Sequence, residues 1–174
     1  MKHFLIVVDM QKDFVDGALG TPEAVAIVPA VCERIRSFEG EILVTYDTHT
    51  ADYLSTAEGQ KLPVPHCIKG TPGWELDARV AAALAEKSYK AIEKPTFGSV
   101  QLPAVVTELA GGEDFALTLI GLCTDICVVS NALLLKANFP EKRIAVDTAC
   151  CAGVTPDSHR AALTTMGMCQ IDIV

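Results

Sequence analysis

Four apolar runs in this chain of 174 residues are continuous rather than alternating: Phe4–Val8 (FLIVV), Ile42–Tyr46 (ILVTY), Ala116–Ile120 (ALTLI) and Arg143–Val146 (RIAV). A strand with one face in water alternates apolar with polar residues. A continuous run is instead the mark of a strand covered on both faces, as in parallel sheets flanked by helices. A weaker run at Ala91 and Ile92 and a short one at Ile171–Val174 bring the expected number of strands to about six. Between the runs lie segments of helical period: Thr21–Phe38 with Pro22 near its start, Trp74–Lys87, Val100–Ala110 stopping at Gly111-Gly112, Thr124–Asn138 before Pro140, and Pro156–Met168 with Thr155 as N-cap. Strand and helix in alternation require crossover connections, and these are right-handed. The expected fold is a three-layer α/β/α sandwich with a mostly parallel, Rossmann-like sheet, formed by residues 1–174 as a single domain. The one long irregular stretch, Asp47 to Gly73, is polar and Pro-rich, so it is expected outside the core; a loop of that length is usually functional.

The net charge of -8 argues against nucleic acid or an anionic membrane as partner, because both need clustered Lys and Arg. The opening apolar run ends at Asp9, too early for a secretion signal or a membrane span. Seven cysteines make an odd set without the spacing of a disulfide framework, which points to a reducing cytoplasm. A cysteine there is either a small core residue or a reactive thiol. Cys32 and Cys169 read as core, and Cys67 as a neighbour of His66. Cys150 and Cys151 are adjacent, so a bond between them would be strained. Cys123 lies in the turn before Cys127. An apolar helix face at Ala132–Leu135 reads as exposed and would permit a homo-oligomer.

In an open parallel sheet, ligands bind beyond the carboxyl ends of the strands. The residues just beyond each run are therefore the test. Asp9 comes after the first, Asp47 and His49 after the second, Lys94 after the third, and Gly-Leu-Cys-Thr-Asp-Ile-Cys ending at Cys127 after the fourth. Taken singly, these read as a strand-end turn, loop polar residues, a solvated lysine and a buried thiol; their convergence on one sheet edge carries the weight. With Thr124 or Asp125 as cap, Cys127 would lie in a first helical turn, where backbone N–H groups lower a thiol pKa. Lys94 would lower it further, and Asp9 would take the thiol proton and return it to a leaving amine. Asp47, His49 and His66 offer one carboxylate and two imidazoles, a donor set for a borderline divalent ion with room for water. Tyr53, Ser55 and Glu58 are candidates for a fourth ligand, the Glu58 carboxylate foremost.

These residues fall into strings: Val-Asp-Met-Gln-Lys-Asp-Phe at 8–14, Asp-Thr-His at 47–49, His-Cys-Ile-Lys-Gly-Thr-Pro-Gly-Trp-Glu-Leu at 66–76, Lys94 with Pro-Thr-Phe-Gly-Ser, and Gly-Leu-Cys-Thr-Asp-Ile-Cys-Val at 121–128. In them the chain resembles the isochorismatase-like cysteine hydrolases, in the branch of nicotinamidases that also act on pyrazinamide, over nearly its whole length. The resemblance implies the isochorismatase-like hydrolase fold and a triad of Asp9, Lys94 and Cys127. It also implies an oxyanion hole from the backbone N–H groups of Cys123 and Cys127, a cis peptide before Cys123, and Phe14 packed on the substrate ring. One divalent ion, zinc foremost with iron or manganese also accepted, would sit on Asp47, His49 and His66, completed by Glu58 or water. The implied reaction is hydrolysis of a small amide, nicotinamide to nicotinate and ammonia, through a cysteine thioester. The chain departs from the family string at Pro63, Tyr53 and Thr96–Ser99, which leaves two further readings. One is a related hydrolase of another small amide or N-carbamoyl compound. The other is a non-catalytic nucleotide-binding α/β domain, which Asp9–Asp13 serves poorly because it lacks a glycine-rich phosphate turn.

Overall fold

The apolar runs pair into one sheet of six parallel strands, described for residues 1–174 by a computed structural model. The strands are β1 (Lys2–Val8), β2 (Glu41–Asp47), β3 (Tyr89–Lys94), β4 (Phe115–Leu122), β5 (Arg143–Ala152) and β6 (Asp172–Ile173), in the order β3-β2-β1-β4-β5-β6. The order reverses direction between β1 and β4, the point at which an open α/β sheet leaves a crevice at its carboxyl edge. Seven α-helices accompany the strands: α1 (Lys12–Val15), α2 (Pro22–Ser37), α3 (Ala57–Lys61), α4 (Ala78–Leu84), α5 (Leu102–Ala110), α6 (Val129–Asn138) and α7 (Pro156–Met168).

The side chains of β1 show why its run has no polar gap. Leu5 and Val7 enter one apolar cluster with Val28, Val31 and Ile35 of α2 and Val80, Ala83 and Leu84 of α4. Phe4, Ile6 and Val8 enter the other, with Leu102 and Val106 of α5, Ala132 and Leu135 of α6, and Met166 of α7. Both faces of the central strand are thus dry, which gives the three layers. No helix is long and apolar enough to cross a membrane.

Local signals set several boundaries as expected. Thr155 caps α7 in a full capping box with Ser158, and Gly111 ends α5 in the left-handed region. Other expectations fail. The Trp74–Lys87 segment is helical only over Ala78–Leu84. Its first residues are drawn into an antiparallel pairing with the β1–α1 turn, in which Lys12 N bonds Glu75 O at 2.8 Å, Asp13 N bonds Gly73 O at 3.0 Å and Asp77 N bonds Met10 O at 2.9 Å. Strand β5 runs on past Val146 to Ala152. Ala132 and Leu135 are fully buried against the sheet, so that face of α6 is not available to a second copy. Cys169 is exposed rather than core.

Candidate active site

Asp9, Asp47, Lys94 and Cys127 all stand at the carboxyl edge of four adjacent strands, β1, β2, β3 and β4. Asp9 is the first residue beyond β1 and is fully buried, with a left-handed φ of 47°. That conformation is uncommon for a non-glycine residue and is found where surrounding structure imposes it. Its N–H bonds Thr45 O at 3.2 Å, and its Oδ1 accepts from the Thr45 hydroxyl at 2.6 Å. Asp9 Oδ2 lies 2.6 Å from Lys94 Nζ. The two form a fully buried ion pair. The same Nζ is 3.4 Å from Cys127 Sγ, 3.0 Å from Thr96 O and 3.4 Å from Asp47 Oδ1. Lys94 is 1% exposed and Cys127 4%. The structure thus brings the expected three side chains into mutual contact and adds Asp47 to them.

Cys127 lies in a single wide helical turn, Thr124–Val128, that continues into α6. Neither expected cap is one: the Thr124 hydroxyl bonds His159 Nδ1 at 2.8 Å, and the Asp125 carboxylate accepts from Val154 N. The Leu122–Cys123 peptide is cis. The Cys123 carbonyl accepts from Ile126 N at 3.1 Å and Val128 N at 3.0 Å, passing over the N–H of Cys127, while the Cys123 N–H has no acceptor. The expected depression of the thiol pKa does not occur. Burial and the negative charge of Asp9 push Cys127 well above an ordinary thiol, and Lys94 opposes them only in part. The thiol is therefore protonated at rest, and its deprotonation needs a base in contact. Asp9 suits that task, because burial pushes its own carboxyl above the usual range against the opposing charge of Lys94. Burial acts to lower Lys94, but the Asp9 and Asp47 carboxylates outweigh it and keep the ammonium charged.

The second group lies on the 47–73 loop, which is far more buried than its composition suggests: Tyr53, Gly59, His49, His66 and Cys67 are all in the interior. The loop closes on itself through His49 N to Cys67 O and Lys69 N to His49 O, both 2.9 Å, which sets the two histidines side by side. A Cβ on Gly59 would meet Tyr53 O at 2.1 Å, so the short helix α3 needs glycine there. One ligand atom each from Asp47, His49 and His66 lies within 4.8 Å of the others. His66 Nδ1 is engaged with Val64 O at 2.8 Å, which fixes the tautomer and leaves Nε2 facing the cluster. His49 Nε2 is buried without a hydrogen-bond partner. A buried imidazole nitrogen left unsatisfied beside a carboxylate is what a divalent cation would complete, so the donor set fits a metal. Glu58 Oε1 stands 3.7 Å from His49 Nε2 and 3.6 Å from His66 Nε2, within reach of the same ion. Tyr53 is not: its hydroxyl donates to Leu62 O at 2.9 Å, and it serves as the buried ring against both histidines. Ser55 is exposed.

A small cavity of about 50 Å³ lies between the two groups, lined by Phe14, Asp47, Glu58, His66, Cys123 and Cys127, with Leu19, Leu62, Phe97 and Ile126 closing it. Phe14 packs on the His66 ring at 5.5 Å between centroids. Four residues that sequence reasoning passes over hold this arrangement. Thr45 orients Asp9. Gln11 bonds the Asp47 backbone. Asp13 accepts from Cys67 N at 2.8 Å. Asn131, fully buried, bonds Cys127 O, Phe97 O and Ser99 N, tying the wall of the cavity to the turn that carries Cys127. Gln11 and Asp13 stand inside the 8–14 string without announcing what they hold, Thr45 is the one polar residue in ILVTY before its final tyrosine, and Asn131 leaves no local signal.

The chain matches the model of the isochorismatase domain over residues 3–173. It is 27% identical to the nicotinamidase/pyrazinamidase of Mycobacterium tuberculosis over 98% of this chain and 97% of that protein. The crystal structure of a nicotinamidase/pyrazinamidase from Bacillus subtilis superposes with a TM-score of 0.85 at 27% identity, covering 100% of both chains. That of a pyrazinamidase from Pyrococcus horikoshii in complex with zinc gives 0.79 at 27% identity, covering 100% of this chain and 99% of the other.

Proposed function

This chain belongs to the isochorismatase family and is an amide-hydrolysing enzyme, and from that premise we propose that it converts nicotinamide to nicotinate and ammonia through a thioester on Cys127. The observation that carries this reading is Lys94 Nζ, within 2.6 Å of the Asp9 carboxylate and 3.4 Å of the Cys127 thiol, with Cys127 lining the same cavity as Asp47 and His66 of the Asp47–His49–His66 cluster. A divalent ion, zinc foremost, held by Asp47, His49 and His66 with Glu58 or water, would supply a Lewis-acid anchor for the ring nitrogen of the substrate.

The residues divide the remaining work. Phe14 packs on the ring and, with Leu19 and Phe97, excludes water. Cys127 Sγ attacks the carboxamide carbon as Asp9 Oδ2 takes the thiol proton, and Lys94 holds the negative charge that passes between them. The N–H groups of Cys123 and Cys127 receive the oxyanion. The C–N bond breaks with the Asp9 proton going to nitrogen, and ammonia leaves. Asp9 then removes a proton from water, hydroxide adds to the thioester, and the thiol is restored with the acid as product.

Ammonia release against nicotinamide, pyrazinamide and an N-carbamoyl amine tests the reading. Nicotinamide should be hydrolysed, and Cys127→Ala should lower turnover on the order of 10⁴-fold or more; unchanged turnover would remove Cys127 from the chemistry. Dialysis against a strong chelator should abolish nicotinamide hydrolysis and zinc should restore it. Nicotinamide hydrolysis that survives intact in metal-free protein would remove the metal from the role of anchoring the ring.

A further inference from the structure

Strand β2 outlasts its neighbour. Val8, the last residue of β1, pairs with Thr45, and the chain then turns through Asp9 into α1. Asp47, two residues beyond Thr45, therefore has no strand beside it on that flank. The Gln11 side chain fills the gap. Its Oε1 accepts from Asp47 N at 2.8 Å, and its Nε2 donates to Asp47 O at 2.8 Å and to Trp74 O at 2.8 Å. A carboxamide carries the donor and acceptor of a peptide group, so Gln11 replaces one rung of the missing strand. The side chain is fully buried. Its orientation is unique, because the reverse would set nitrogen against an N–H and oxygen against two carbonyls.

The consequence lies in what Asp47 does with its side chain. One carboxylate oxygen faces Lys94 at 3.4 Å, and the other faces His49 at 2.9 Å and His66 at 3.5 Å. A ligand at the last residue of a strand, where pairing ends on one side, would fray unless both its backbone groups were held. We propose that Gln11 is a positioning residue for the metal centre: by clamping both backbone groups of Asp47 it fixes the only anionic ligand of the three-residue cluster, and so sets metal affinity. This rests on the proposed metal site at Asp47, His49 and His66. It adds a residue that touches neither metal nor substrate and lies 36 positions from the ligand it holds.

The test measures zinc binding directly, by competition with a chromophoric chelator, on metal-free wild-type protein and on Gln11→Met and Gln11→Glu. Gln11→Met keeps the length and removes all three bonds; Gln11→Glu keeps the acceptor and loses both donated bonds. Affinity should fall about 10- to 100-fold in both, the range for partners that orient a ligand. Turnover at saturating zinc should return to within a few-fold of wild type, since nothing in the Asp9–Lys94–Cys127 contacts has been removed. A purely structural Gln11 would lower the melting temperature and leave zinc affinity within twofold, and that result overturns the proposal. Should neither variant fold, the wild type still decides: the Gln11 carboxamide protons should exchange slowly by NMR and shift on zinc titration, and signals insensitive to zinc count against it. Wild-type protein that binds no zinc at all would instead refute the metal site itself.

Discussion

Two buried aspartates share one ammonium at adjacent strand ends, and they end in opposite electrostatic states. Asp9 lies 2.6 Å from Lys94 and Asp47 lies 3.4 Å from it. Burial pushes both carboxyls up. At Asp9 only Lys94 and the Thr45 hydroxyl oppose burial, while the charge of Asp47 reinforces it, and the carboxyl stays above the usual range. At Asp47 the adjoining His49 and His66 imidazoles, 2.9 and 3.5 Å away, together with Lys94, outweigh burial and hold the carboxyl well below it. A carboxylate that readily takes a proton can act as a shuttle; one that stays anionic can act as a cation's ligand. The same residue type at two neighbouring strand ends is thus divided between two tasks by what the 47–73 loop adds to one of them.

Exchanging each carboxylate for its amide should separate the two tasks. Asp9→Asn removes the proton acceptor, and kcat at saturating zinc should fall about 10²- to 10⁴-fold, the range for loss of a general base, with zinc affinity unchanged. Asp47→Asn removes the anionic ligand, and zinc affinity should fall by about 100-fold or more, since losing a ligand exceeds losing a partner that orients one. Each variant leaves Lys94 one carboxylate neighbour, so neither strands a buried unpaired charge. Chelator competition and ammonia release on the same preparations read both quantities. If Asp9→Asn weakened zinc as much as Asp47→Asn does, the division of labour would collapse.

That division is only partly legible in the sequence. Residue types and their place after apolar runs point to Asp9, Asp47, Lys94 and Cys127, because a fully covered parallel strand announces itself by hydrophobicity alone and its carboxyl end lies directly beyond. The protonation state of Cys127 comes out wrong from sequence, because a helix-start argument is local whereas burial and the Asp9 charge come from other strands. Residues 74–77 look helical by period, yet the β1–α1 turn captures their backbone from more than sixty positions away. Gln11 and Asp13 stand inside the 8–14 string and Asn131 in no string, but none announces what it holds, since each works through hydrogen bonds to distant backbone that exist only once the chain has folded.

The smallest expected effect probes the comparison most finely. The Thr45 hydroxyl donates to Asp9 Oδ1 at 2.6 Å and has no counterpart at Asp47. Thr45→Val removes a bond that favours the anion, so the Asp9 pKa should rise beyond its already elevated position. In the proposed mechanism turnover requires Asp9 as the base, so the acid limb of kcat/KM should move to higher pH, with a loss of less than about tenfold on the plateau. The stability effect has a definite sign. A raised carboxyl pKa means that the folded state binds the proton more tightly than the unfolded chain, so Asp9 favours folding at low pH and this contribution is lost as pH rises from the unfolded carboxyl value through the folded one. Asp47, shifted the other way, contributes above the unfolded value and loses that contribution as pH falls through its depressed pKa. Raising Asp9 further should therefore make Thr45→Val less stable than wild type at neutral pH, by about 1.5–3 kcal/mol for a hydrogen bond to a buried charge, with the deficit shrinking in acid. Zinc affinity should not change, because Asp47 and its imidazole partners are untouched. A pH–rate profile whose acid limb stays in place would mean that Thr45 does not tune the base, and that the contrast between the two aspartates rests on burial and Lys94 alone.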